Sequence, residues 1–451
     1  MDSISGDPKF VNPTAGDFHL QSGSLACGKG AYQCSAVQLS TCAESDWSFS
    51  DGTCQSSNTL TRTWTKIRNC LGGVNHQATE LKSCSYVNPG NNYYVSTSGN
   101  DNNPGTSSSQ FKTIQKCANV GNPSDTCNVA AGTYSEHVTV SRPGITFKAL
   151  GLVTVKSFAV STDNTVVDGF YSMNSDAYHG AIIVDGNSNI IRNNIIEGAC
   201  MTGIGLSGNN NLAENNEIFK SRQCFKLGTN ELVNGADADG IRIFDDGNIA
   251  RGNYIHDLSL IQNPTAHIDC FQSWGTLTNA IIEHNICDVI DHTHPSSYKS
   301  GMQTDIGNVH NIIIRNNIFR VVRGLNIRGE GINVINNVFI GDNQPTSYVY
   351  FAEVSNTIIQ NNIVYDTATG ILTGAGITQG GYNIVYNSNG VPARRDSGYS
   401  GNAGSYKWPT DKWQTINPMF VNPSAGDYHL QPGSPACNSG IGGTYIGAFP
   451  C

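Results

Sequence analysis

Residues 315–319 are RNNIF, and the same phrase returns along the chain with small changes. It is RNNII at 192–196, ENNEI at 214–218, RGNYI at 251–255 and EHNIC at 283–287. It continues as INNVF at 335–339, QNNIV at 360–364 and GYNIV at 381–385. The third position is always asparagine: Asn194, Asn216, Asn253, Asn285, Asn317, Asn337, Asn362 and Asn383. Apolar residues alternating with others follow each one, and no 3.6-residue period persists between them, so the elements are short strands and not helices. A unit of twenty-odd residues that cannot bury its own apolar face, repeated in series, is the mark of a solenoid. Stacked identical asparagines fit that reading, because one amide can donate to the next coil while accepting from the last.

The spacings between these asparagines are 22, 37, 32, 32, 20, 25 and 21. Three consecutive coils are therefore long. Their extra residues are KSRQCFKLGTNELVNGADAD, HDLSLIQNPTA and DVIDHTHPSSYKS, each running into a strand. Loops that lengthen on neighbouring coils at one angular position build the wall of a groove.

Aligning the strands GIRIFD (240–245), HIDCFQ (267–272), GMQTDI (301–306) and GLNIRG (324–329) sends Ile241, Ile268, Met302 and Leu325 inward, together with Ile243, Cys270, Thr304 and Ile327. One outward column then holds Arg242, Asp269, Gln303 and Asn326, and the next holds Phe244, Phe271, Asp305 and Arg328. His267 points outward beside Asp269. Strands GIGLSG (203–208) and GILTGA (370–375) of other coils carry almost nothing polar there. Taken singly, these groups are cross-coil ion pairs and amide ladders on a solvated sheet. Clustered where the loops are long, they mark a ligand site.

The bulk composition agrees with an all-β chain. Of 451 residues 14% are charged, 49 are glycine, and the net charge is −9. An acidic chain of this kind excludes nucleic acid as a general partner. No stretch is long and apolar enough to insert in a membrane. Fourteen cysteines point to an oxidising compartment, with Cys27/Cys34, Cys117/Cys127, Cys200/Cys224 and Cys437/Cys451 close enough to pair and room for a buried thiol or two. An extracellular or cell-surface location follows, although MDSISGDPKF has no export signal and reads as the start of an excised fragment.

Residues 34–90 have another texture. TLTRTWTK (59–66) alternates, placing Leu60, Arg62, Trp64 and Lys66 on one strand face, with Trp47 and Trp64 expected to sandwich Arg62. Cys42, Cys54, Cys70 and Cys84 would hold so small a unit together. Its W…C…TRT…C…GG…C pattern resembles a bacterial thrombospondin type-1-like module, which implies a spacer or adhesion unit.

From residue 91 the text YYVSTSGNDNNPGT…FKTIQKCANV…GTY and the coils after it resemble the pectate-lyase-like β-helix superfamily. That resemblance implies a right-handed parallel β-helix over 91–415. It also implies an uronate-containing polysaccharide as partner. Calcium-assisted β-elimination would use Asp239, Asp269 and Asp305 as metal ligands, Lys299 at the rim or His267 as base, Arg242 and Arg328 as carboxylate clamps, and Phe271 as a sugar platform, with Gln303 and Asn326 beside them. DADGIRI (237–243) and HIDCFQ also resemble the NTDGIDI and DDC strands of polygalacturonases, which would make Asp239 and Asp269 a hydrolytic acid–base pair. Here Ile268 replaces one Asp, and neither GHG nor RIK is present. A non-catalytic glycan-binding or adhesive unit of a tandem-repeat surface protein is the third reading.

Finally, DPKFVNPTAGDFHLQSGSLACGKG (7–30) and NPMFVNPSAGDYHLQPGSPACNSG (417–440) agree at sixteen of twenty-four positions. The second copy is expected to close the end of the β-helix as a cap over 416–451, with Leu430 docked on the last coil. The first, within 1–33, would close a preceding unit, making the chain one period of a head-to-tail tandem array.

Overall fold

The computed structural model describes residues 9–12, 14, 17–21, 24, 40–86, 89–173, 180–222, 224, 237–258, 267–290, 298–304, 308–342, 344, 347–388, 393–395 and 413–451. They form two compact units, 1–89 and 90–451.

In the first unit, strands Trp47–Asp51, Thr59–Lys66 and Thr79–Ser83 make an antiparallel sheet. Disulfides Cys42–Cys70 and Cys54–Cys84 fasten it. Arg62 does not lie between the two tryptophans. Its guanidinium sits 3.8 Å over the Phe49 ring and 5.9 Å from Trp64, and it is bound to Asp51 at 2.6 Å. Trp64 stacks instead on His76 at 3.6 Å, and Trp47 meets the edge of that ring. Arg62 follows Asp51, its direct cross-strand neighbour, which places it over Phe49.

The second unit is a parallel β-helix. Strands pair in parallel with their counterparts one coil on, from Asn92–Val95 to Trp413–Gln414, with register shifts in the longest strands. At the first coil, Thr113 caps helix Ile114–Val120 by accepting from Lys116 N–H at 3.0 Å. Glu136 accepts from the orphan N–H groups of Ile114 and Gln115. The helix thereby turns Ile114, Cys117 and Ala118 onto the coil interior, and Cys117 is bridged to Cys127.

All eight asparagines stack. Asn194 donates to Asn216, Asn216 to Asn253, Asn253 to Asn285, Asn285 to Asn317, Asn317 to Asn337, Asn337 to Asn362 and Asn362 to Asn383, each at 2.9–3.0 Å. The residue before each ladder asparagine takes a left-handed conformation, for example Asn316 at φ 56° and Asn336 at φ 57°. That explains the doubled NN: asparagine tolerates the left-handed corner, and the next asparagine fills the ladder. A second, shorter ladder runs through Asn189, Asn211 and Asn248. Its sequence, GNSN and GNNN, is indistinguishable from turn text.

The duplicated text folds the same way twice. Phe10–Asn12 and Asp17–Leu20 pair antiparallel with Phe10 opposite Leu20 and Asn12 opposite Asp17. Phe420–Asn422 and Asp427–Leu430 pair with Phe420 opposite Leu430 and Asn422 opposite Asp427. The C-terminal hairpin, however, docks on the side of the coils and not over their end. Phe420, Tyr428, Ala436, Ile446 and Ala448 bury an outward-facing column of Ile318, Val338, Ile363 and Ile384 from four successive coils, with Leu430 at the margin of this cluster. Corner asparagines Asn316 and Asn336 donate to the carbonyls of Ala448 and Tyr445. Cys437–Cys451 closes the segment. Apolar residues on the outer face of those coils give the segment its site, since the same column is more than a third exposed upstream at Tyr254 and Ile286.

Candidate active site

Strands Asp239–Ile243, His267–Ser273, Tyr298–Thr304 and Arg323–Glu330 lie side by side on consecutive coils. Their register differs from simple alternation. Ile241 pairs with Phe271, Phe271 with Met302, and Met302 with Leu325. The residues just before them, Gly240, Cys270, Gly301 and Gly324, also face the interior, for a Cβ built on those glycines would meet Ile255, Phe319 or Phe339. Two successive residues thus point inward at this bend, and the outward positions fall at i and i+3.

That reset produces two outward columns. One is Thr202, Asp239, Asp269, Ser300 and Arg323, and the other is Gly205, Arg242, Gln272, Gln303 and Asn326. Arg242 neighbours Gln272 and not Asp269, as expected from alternation. Phe271 is not an outward sugar platform: it takes Ile241's interior place and is fully buried. Lys299 is not at a rim, for it occupies the position of Ile268 and is 1% exposed. Gln272, missed by the sequence alignment, belongs to the site. Gln303 and Asn326 are brought together, their amides 3.2 Å apart. Arg328 is half-buried further along, with its N–H held by Thr304 at 2.8 Å. Asp305 and the side chain of His267 lie outside the described residues.

At the centre are two carboxyls with no solvent exposure. Asp239 accepts from Arg242 Nε at 2.8 Å and from the backbone N–H of Asp269 at 3.1 Å. Asp269 accepts from Gln272 Nε2 at 3.1 Å. Its other oxygen has no partner in strict hydrogen-bond geometry among the described residues, although the Ser300 hydroxyl is near enough to favour its charge. Burial, and then the adjacent Asp239 charge, push the Asp269 carboxyl well above the carboxylate range. Burial pushes Asp239 up to about 7, opposed by Arg242 and reinforced by Asp237. Two buried acids one coil apart cannot both ionise cheaply, so both carboxyls are held above the ordinary range, with Arg242 beside Asp239 opposing the rise there.

Two buried polar atoms beside the pair lack a hydrogen bond among the described residues: Arg242 Nη2, lying 3.8 Å from Asp237, and Gln272 Oε1. The Arg242 guanidinium sits 4.7 Å from the Trp274 ring, which is 48% exposed and meets Phe244 edge-on. A calcium ion takes six to eight oxygens. Both oxygens of Asp239 are engaged, Asp269 offers one, and Arg242 adds positive charge, so the described residues do not fit a calcium site. A separate cavity of about 610 Å³ lies between the C-terminal hairpin and the coil flank. Its acids Asp288 and Asp342 are tied to Arg320 at 2.9 and 2.6 Å, a structural arrangement.

Compared with known proteins, residues 97–147 match a family model described as a protein of unknown function, DUF1565. No curated protein matches the chain. Among solved structures it is similar to pectate lyase Pel9A, with 16% identity and a TM-score of 0.51 over 81% of this chain and 97% of that one. It is also similar to a rhamnogalacturonan lyase, with 15% identity and a TM-score of 0.44 over 74% of this chain and 91% of that one. The surface adhesin PfbA of Streptococcus pneumoniae shares 13% identity, with a TM-score of 0.40 over 60% of this chain and 85% of that one. At such identities the likeness shows the fold alone: the second unit is a right-handed parallel β-helix, as in pectate lyase Pel9A.

Proposed function

We propose that the chain cleaves glycosidic bonds of an acidic, uronate-containing polysaccharide, with Asp269 as general acid and Asp239 as its carboxylate partner. The observation that carries this reading is the pair itself: two buried carboxyls on consecutive coils, Asp239 bound to the Arg242 guanidinium and Asp269 only to the Gln272 amide. Asp269 delivers its proton to the glycosidic oxygen as the C–O bond breaks. Asp239, oriented by Arg242, takes a proton from the water that replaces the leaving group. The exposed Trp274 face stacks on a sugar ring, and the Arg242 charge beneath it attracts the sugar carboxylate. The disulfides suit an extracellular polysaccharide. The small disulfide-bonded sheet serves as a thrombospondin-like spacer, and the repeated hairpin as the seam of a tandem array.

The test is incubation with pectic, alginate and glycosaminoglycan polymers, with and without a calcium chelator. New reducing ends without the ultraviolet band of unsaturated uronates, resistant to chelation and lost in Asp269→Asn and Asp239→Asn, are expected. Unsaturated products would replace hydrolysis by elimination. Polymer retention with no product would make the chain a binding unit.

A further inference from the structure

Five consecutive coils behind the site share one interior arrangement, with a difference at the middle one. Facing the column Gly203, Gly240, Cys270, Gly301 and Gly324 is the column Ile218, Ile255, Cys287, Phe319 and Phe339 on the opposite wall. In four coils a large side chain from the far wall reaches the glycine. A Cβ there would lie 2.5 Å from Ile218, 2.6 Å from Ile255, 2.4 Å from Phe319 or 2.7 Å from Phe339. The same Cβ would crowd the next coil's carbonyl, at 2.3 Å for Gly301 and 2.8 Å for Gly240. Of these five coils, the one that carries Asp269 differs. There both partners are cysteine, fully buried and joined as Cys270–Cys287.

Cys270 directly follows Asp269 and lies between the two outward residues of that coil, Asp269 and Gln272. The backbone N–H of Asp269 is the donor that links its coil to Asp239. A cross-link anchored one residue away therefore fixes both the direction of the Asp269 side chain and its distance from Asp239. Steric filling alone would not need it, since glycine against isoleucine or phenylalanine fills the same space in the coils on either side.

We propose that the Cys270–Cys287 disulfide is a positioning cross-link that sets the Asp239–Asp269 pair. This deepens the function proposed above but is read out without it. Two variants test it: Cys270→Ala with Cys287→Ala, which removes the bond, and Cys270→Gly with Cys287→Ile, which restores the packing of the coil before it without a bond. Each is followed by thermal unfolding and by carbon-13 carboxyl titration of labelled aspartate, with Asp269→Asn assigning the signal. In the Gly/Ile variant the melting temperature is expected to recover towards that of the parent, while the high-pH carboxyl titration moves down by at least one unit. A Gly/Ile variant that keeps the parental titration would overturn the proposal and leave the disulfide as a filler of space. If the titration moves and no polymer is ever cleaved, the cross-link stands and the catalytic reading falls. Should the Ala/Ala variant fail to fold, the Gly/Ile variant decides alone.

Discussion

Replacing Asn285 by alanine tests what holds one coil on the next. Its amide Nδ2 donates to Asn317 at 3.0 Å and to the Ala250 carbonyl at 2.9 Å. Its Oδ1 accepts from the backbone N–H and the side-chain amide of Asn253, both at 2.9 Å. Asn317 Oδ1 retains the backbone N–H of Asn285 at 2.9 Å, so it is not orphaned. Besides Asn317 Oδ1, three buried groups lose a partner: the Ala250 carbonyl, the Asn253 backbone N–H and the Asn253 amide, which keeps its bond to the Ala213 carbonyl. Each lost partner costs about 1–3 kcal/mol at a buried site. With part of that offset by water entering the vacated space, the expected loss is about 3–5 kcal/mol, measured by urea unfolding followed by circular dichroism. Asn128→Ala is the control, because its amide reaches Asn92 at 3.1 Å at an exposed edge and joins no ladder. It should cost about 1 kcal/mol or less. Equal losses in the two variants would refute the reasoning, leaving backbone strand pairing alone to set coil register.

Three further outcomes follow from the geometry. Asp239 and Asp269 hold protons in the folded state above the pH, about 3.9, at which an unfolded aspartate releases them. Their stabilisation is fully present below that value and is lost as pH rises through about 7 for Asp239, so Asp269→Asn should flatten the fall in melting temperature between pH 4.5 and 8; parallel curves would contradict the raised values. Phe420→Ala, at a site 4% exposed beneath the C-terminal hairpin, should cost about 3–5 kcal/mol and increase proteolysis of 416–451; unchanged cleavage would mean that the disulfide alone holds that segment. Gly301→Ala places a Cβ 2.3 Å from the Gly324 carbonyl and 2.4 Å from Phe319, and is expected to lower stability by about 1–3 kcal/mol in the same unfolding assay, whereas a neutral result would show that the bend opens freely.

The column of asparagines was legible because each ladder residue must be the same residue in the same place, whatever the length of the loop between. Spacings as unequal as 20 and 37 therefore did not hide it. Asp239, Asp269, Arg242, Gln303 and Asn326, which the structure sets on two adjacent columns, could be singled out as candidates because polar side chains stand out on strands that are otherwise apolar. The error at Phe271 has a definite origin. Alternation assumes that inward and outward residues exchange at every step, and a bend where Gly240 and Ile241 both face inward breaks that assumption without leaving a mark in hydropathy. Shape, not polarity, carries the missing information: the glycines opposite Ile255, Phe319 and Phe339 are the trace of it, and they gain meaning only when the far wall is known.

The amino-acid sequence by itself determined a stacked β-coil with an asparagine spine, long loops on three neighbouring coils and a cluster of ionisable groups beside them, because periodicity and composition are local properties of the chain. Only the tertiary structure decided that Asp239 stands one coil from Asp269, that Phe271 and Lys299 are buried, that Cys270 bonds Cys287, and that the repeated C-terminal text clasps the side of the coils. Those are pairings between segments 17 to 132 residues apart. They depend on which side chain fills the space left by another, a volume match that no single strand encodes.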